Sequence, residues 1–216
     1  RILSSAASDV YKRQNEDIIL VAVSKTKPIE QIKSLYDIGH VDFGENKVQE
    51  LVNKHGVLPK EINWHMIGHL QRNKVRQIIP FIHLIHSVDS LRLLNKINDE
   101  AKKINRKVNI LIQIKISNDN SKYGFSFDEI EHLIKNRILD EYEFIDVKGL
   151  MGMATFTNDE NIIDDEFKKL KKFYLKYRQQ TNFSILSMGM SGDYMIALKN
   201  KSNMLRLGSV IFGKRN

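Results

Sequence analysis

The chain has 216 residues, 42% of them hydrophobic, no cysteine and a formal charge of +8. That length suffices for one sizeable core, and the absence of cysteine excludes a disulfide framework and a cysteine-ligated zinc. No apolar run approaches the roughly 20 residues that span a bilayer, and the opening Arg1-Ile-Leu-Ser-Ser-Ala-Ala-Ser is too short and polar for a secretory signal. A cytoplasmic protein that binds neither membrane nor nucleic acid is expected. The basic residues do not form a tract: Lys168, Lys169, Lys171 and Lys172 share a solvated stretch with Asp164, Asp165 and Glu166, and no aromatic residues interleave with them as a stacking platform requires.

In chain order, Ile18 to Val23 is a short, continuous, β-branched run and reads as a buried strand. Helical spacing follows from Ile29 to Ile38, stopped by Gly39. A brief strand is predicted at Val41 to Phe43, a helix at Lys47 to Lys54, a strand at Ile62 to Ile67 and a helix at Asn73 to Ile79 before Pro80. Next come a strand at Phe81 to Ile85 and a helix at Asp89 to Ile104, capped by Ser87 or Asp89. The second half predicts strands at Val108 to Ile116, Phe144 to Met151, Phe183 to Leu186 and Met204 to Leu207. Between them lie helices at Ser126 to Lys135, Asn161 to Arg178 and Asp193 to Lys199, the first opened by a Ser126/Glu129 capping box. About eight β/α alternations with no midpoint switch predict a single-domain, closed parallel (β/α)8 barrel of the TIM type over residues 15–216. Residues 1–14 lack periodicity and read as a leader, foreign to the natural gene or frayed.

Function in such barrels sits at the C-terminal strand ends. Lys25, just after the first strand, either points into the barrel mouth as a half-desolvated amine, which burial makes nucleophilic enough for Schiff-base chemistry, or snorkels to the surface like most other lysines of the chain. Ser191 and Gly192 follow the seventh strand, and Gly208 and Ser209 the eighth. Glycine and serine in those two loops suit a phosphate, although ordinary turn chemistry has the same composition. Asn46, His65, Ser87, Lys122 and Met151 stand at or near the ends of other strands. His65 and His69 have i,i+4 spacing, but Gly68 intervenes and no acidic ligand stands nearby in the sequence, so no metal is expected.

The ordered blocks Val21-Ala-Val-Ser-Lys-Thr-Lys-Pro28, Phe43-Gly-Glu-Asn-Lys-Val-Gln-Glu50 and Trp64-His-Met-Ile-Gly-His-Leu-Gln-Arg-Asn-Lys74 continue through His86-Ser-Val-Asp-Ser90, Lys122-Tyr-Gly124 and Gly149-Leu-Met151. They end with Leu186-Ser-Met-Gly-Met-Ser191 and Arg206-Leu-Gly-Ser-Val-Ile-Phe-Gly213. Together these resemble the pyridoxal phosphate homeostasis proteins, single-domain relatives of the alanine racemase barrel. The resemblance implies pyridoxal 5′-phosphate (PLP) as cofactor, held reversibly as an aldimine on Lys25. It also implies Ser191, Gly192, Gly208 and Ser209 around the phosphate, Arg206 at the pyridine nitrogen, Asn46, Ser87 and Met151 lining the cofactor, and Lys122 in cofactor exchange. The chain departs from the family in its first 14 residues, at His69, across Lys199 to Asn203, and at Ser209, where threonine is commoner.

The resemblance implies a vitamin B6 carrier rather than an enzyme. An arginine at the pyridine nitrogen weakens the ring as an electron sink, and the chain's end at Asn216 leaves no second domain to supply a second base. PLP-dependent apo-enzymes are the expected partners and a monomer the expected state. The alternative is a PLP-dependent amino-acid racemase or lyase, with a Schiff-base aldolase and a basic nucleic-acid binder as remoter rivals.

Overall fold

A computed structural model describes residues 18–117 and 123–213. Eight parallel strands pair in sequence order and close into a barrel, as predicted: β1 (Ile19–Val23), β2 (Asp42–Glu45), β3 (Asn63–Met66), β4 (Leu84–Val88), β5 (Val108–Ile114), β6 (Ile145–Gly152), β7 (Ile185–Ser187) and β8 (Met204–Leu207). Closure is made by β1 against β8, from Ile19 opposite Met204 to Ala22 opposite Leu207. The described helices are α1 (Ile29–Asp37), α2 (Val48–Val57), α3 (Val75–Ile78), α4 (Leu91–Lys103), α5 (Phe127–Lys135), α6 (Glu160–Thr181), α7 (Tyr194–Lys199) and α8 (Ser209–Phe212). The leader, residues 1–14, lies outside the described residues.

Strand alternation divides the core in two. Leu20 and Ala22 join Ile32 and Leu35 of α1 in the layer between sheet and helices. Val21, one residue over, packs with Leu84, Leu111, Met151 and Met204, a purely strand-borne cluster that fills the lumen. Two register shifts tune this alternation. Where β5 passes from Ile110 to Leu111, β6 passes from Val147 to Gly149, so Lys148 is an extra residue. The shift leaves Leu150 in the outer layer and Met151 in the lumen. Gly149 is required there: it sits at φ +155°, and a Cβ would stand 1.8 Å from the carbonyl oxygen of Ile185. A second shift lies between Ile85 and Val88.

Local chemistry explains the element ends. Ser126 accepts from the Glu129 amide while Glu129 reaches back to the Ser126 amide, the predicted capping box. The cap of α4 is Ser90, not Ser87 or Asp89: its hydroxyl accepts from the Leu93 amide, and Ser87 lies inside β4. The fourth strand starts three residues later than expected, because Phe81 and Ile82 are spent closing the turn after α3 through hydrogen bonds to the Ile78 carbonyl. An apolar run gives no sign of that difference. The third helix is shorter than predicted, a 3-10 turn at Arg72–Lys74 followed by one α-turn. No helix among the described residues is long and apolar enough to cross a membrane.

Candidate functional site

Lys25 follows β1 by two residues, half-buried, in a turn closed by the Lys27 amide on the Ser24 carbonyl at 2.9 Å. Its neighbour Thr26 has φ +63°, a left-handed conformation costly for a β-branched residue. A buried ionic cluster holds the turn on both sides. The Ser24 hydroxyl donates to Glu45 at 2.6 Å, and Lys54 donates to the Ser24 carbonyl, Glu45 and Glu50 at 2.8, 2.8 and 2.6 Å. Glu50 also accepts from the Thr26 amide at 2.6 Å. Burial raises the Glu45 pKa, against hydrogen bonds from Lys54 and Ser24 that lower it. The residues flanking Lys25 are thereby fixed by charges from β2 and α2.

Beside this turn lies the end of β8. A Cβ on Gly208 would contact Val23 at 3.6 Å, and Lys27 Nζ reaches the Phe212 carbonyl at 3.3 Å. The loop after β7 meets the same place: the Ser191 hydroxyl accepts from the Gly208 amide at 3.1 Å and the Val210 amide at 3.4 Å. Two backbone donors thus converge on one oxygen, with the Ser209 hydroxyl and Gly192 exposed nearby in sequence. The amides are engaged by Ser191 here, and a phosphate that displaced that oxygen would meet N–H and O–H donors.

Arg206 of β8 is buried, and burial pulls its pKa down to about 10, opposed by Asp193. It donates to the Ser187 hydroxyl at 2.6 Å and to the Gly152 carbonyl at 3.2 Å. Ser187 lies 3.4 Å from His86 Nδ1, His86 Nε2 lies 2.9 Å from His65 Nδ1, and His65 Nε2 lies 3.1 Å from Asp42. Because β4 and β7 are not sheet neighbours, this chain runs through the lumen. Its two ends are fixed, since a guanidinium only donates and a carboxylate only accepts. His65 Nε2 then carries a proton toward Asp42, and where Ser187 donates to His86 Nδ1, His86 carries its proton on Nε2. For His86 this agrees with a pKa held well below normal by burial first and then by His65, Arg206 and His83.

The family model for the alanine racemase N-terminal domain matches residues 11–216. A pyridoxal phosphate homeostasis protein of Synechocystis sp. is 34% identical over 216 residues, covering 98% of each chain. One from Helicobacter pylori is 37% identical over 208 residues, covering 95% of this chain and 91% of its own. The chain belongs to the pyridoxal phosphate homeostasis protein family. The structure of PipY from Synechococcus elongatus solved without PLP aligns at TM-score 0.88 and 29% identity, covering 97% of this chain and 100% of PipY. The PLP-bound PipY structure aligns at 0.85 and 27% identity, covering 96% and 98%. An alanine racemase of Clostridium difficile, at TM-score 0.77 and 18% identity, shares the fold over 56% of its own chain.

In this homeostasis-family barrel the remaining expected cofactor-lining residues that are described fall into two places. Asn46 and Ser87 are brought together through Gly68: the Ser87 hydroxyl donates to the Gly68 carbonyl at 2.5 Å, and a Cβ on Gly68 would lie 2.4 Å from the Asn46 carbonyl oxygen. Met151 is fully buried in the lumen cluster and pairs in register with Ser187. Lys122 lies outside the described residues. His65 and His69 are not brought together as a pair. His69 bonds Asp89 at 3.0 Å, whereas His65 points to Asp42, the acidic neighbour that sequence spacing could not reveal. Sequence reading also gave no role to Ser24, Glu45, Lys54, His86 or Ser187. The available signals were the Glu50/Lys54 spacing of i,i+4 and the histidines at strand positions.

Proposed function

We propose that this chain binds PLP at the C-terminal mouth of the barrel, on Lys25, and serves as a reversible carrier in vitamin B6 homeostasis rather than as a catalyst. The observation that carries the reading is the meeting of three parts at one barrel end. These are the clamped Lys25 turn, the converging donors of Ser191, Gly208 and Val210, and the buried Arg206. The names of its relatives and the PLP held by PipY support the same reading.

When bound, the cofactor supplies an aldehyde that forms a reversible covalent bond with a lysine amine. The chain's own residues do the rest. Ser24, Glu45, Lys54 and Glu50 fix the backbone that presents Lys25. Ser191, Gly192 and Ser209 would donate hydrogen bonds to the phosphate and orient it, joined by the amides of Gly208 and Val210 as they turn from the Ser191 oxygen. Arg206 stays cationic at neutral pH even with a pKa of about 10, and it has donors only. Facing the ring nitrogen, it disfavours protonation there and leaves a weak electron sink. Storage and delivery to PLP-dependent apo-enzymes fit such a site better than carbanion chemistry does.

The test is the absorbance of the purified protein mixed with PLP. A lysine-bound chromophore at the visible–ultraviolet boundary, absent in Lys25→Ala, together with no racemisation or product from a panel of amino acids, is the expected result. A protein that takes up no PLP, or that turns over an amino acid, contradicts the proposal.

A further inference from the structure

The N-terminal end of the barrel, opposite the Lys25 mouth, holds a second cluster that the PLP reading does not use. Asp42 opens β2, His65 is in β3, and His83 immediately precedes β4. Three adjacent strands therefore bring one carboxylate and two imidazoles together, and one potential ligand atom from each lies within 4.8 Å of the others. We propose that these three side chains form a binding site for a borderline divalent metal ion of the zinc class, with the remaining positions open to water.

The geometry is close to what such an ion needs. Zinc–ligand bonds of roughly 2.0–2.2 Å at tetrahedral angles put neighbouring ligand atoms about 3.3 Å apart. His65 Nε2 and Asp42 Oδ1 are already 3.1 Å apart. His83 is exposed, its ring centroid 5.3 Å from that of His65, and has room to close the remaining gap by side-chain rotation. Two imidazoles and one carboxylate favour zinc, cobalt(II) or nickel(II) over calcium and magnesium, which take oxygen ligands.

The supporting shell is also present. His65 is buried, and its other ring nitrogen is bonded to His86 at 2.9 Å, which fixes the ring. Asn63 donates to Asp42 at 3.1 Å and orients the carboxylate. Coordination takes the Nε2 lone pair of His65, so the two lumen histidines exchange tautomers and His65 then donates to His86. Arg106, the cation beside His83, directs both terminal nitrogens to the carbonyls of Ile79 and Ile82.

The test uses the full chain stripped of metal with a chelator and then titrated with Co2+, followed by its visible ligand-field bands, with Zn2+ as competitor. One equivalent of Co2+ with bands of a low-coordinate site, displaced by Zn2+, is expected. His83→Ala, at an exposed position, should weaken binding by at least about tenfold, Asp42→Asn should do the same, and the surface variant His132→Ala should bind as the parent does. PLP uptake by His83→Ala should be unchanged, so failure here is separable from failure of the PLP reading. No bound equivalent, or binding that survives both His83→Ala and Asp42→Asn, overturns the proposal.

Discussion

Arg206 and Ser187 show how much a single buried contact controls here. The guanidinium has its Nη1 on the Ser187 hydroxyl at 2.6 Å, and both residues are buried. Ser187→Ala removes that acceptor and leaves a buried charged donor unmet, at a cost of about 1–3 kcal/mol. We expect a lower unfolding midpoint and a PLP dissociation constant raised several-fold, measured by denaturant titration and by absorbance. Unchanged PLP affinity would mean that Arg206 needs no support from the lumen chain. Lys25 and Ser191 stand out in the sequence because each lies in a strand-end loop with its own chemistry, whereas Arg206 is picked out only by the family resemblance. His86 and Ser187 do not stand out, because their role is a bond across the lumen between residues far apart in the chain.

At the scale of elements, the Lys25 turn depends on β2 and α2 through Glu45, Glu50 and Lys54. Lys54→Met keeps the stem but removes the cation, leaving Glu45 buried and unpaired. Breaking one side of such a pair costs about 3–5 kcal/mol. Loss of most PLP uptake is expected in any folded Lys54→Met protein, since the Ser24 carbonyl loses its donor and Glu45 and Glu50 lose the cation that holds them against the turn. Full uptake would show that the turn holds itself. The order of strands and helices was readable from apolar period alone, down to Met204–Leu207 and the capping box at Ser126. The register shifts were not. A bulge such as that at Lys148 changes which face a residue occupies without changing the composition of its run. The late start of β4 has the same origin, a turn and a strand built from equally apolar residues.

For the whole molecule, the closed barrel separates two ends with different chemistry: amide, hydroxyl and guanidinium donors near Lys25, and an Asp–His cluster at the floor. A ligand that binds only the folded barrel stabilises it by about 2.7 kcal/mol at a hundredfold excess over its dissociation constant. For a chain of this size about 1 kcal/mol moves the melting temperature by roughly 2–4 °C. Saturating PLP should therefore raise the midpoint by about 5–10 °C in a scanning calorimeter, and Lys25→Ala should lose most of that rise. An equal rise in Lys25→Ala would place the binding energy in the phosphate loops alone.

The central claim is that one amine, that of Lys25, carries the cofactor. Reducing the PLP-loaded protein with borohydride and mapping the peptides by mass spectrometry addresses it directly. A single pyridoxyl-phosphate adduct on the peptide containing Lys25 is expected. An adduct on a different lysine, or none after PLP loading, would contradict the claim.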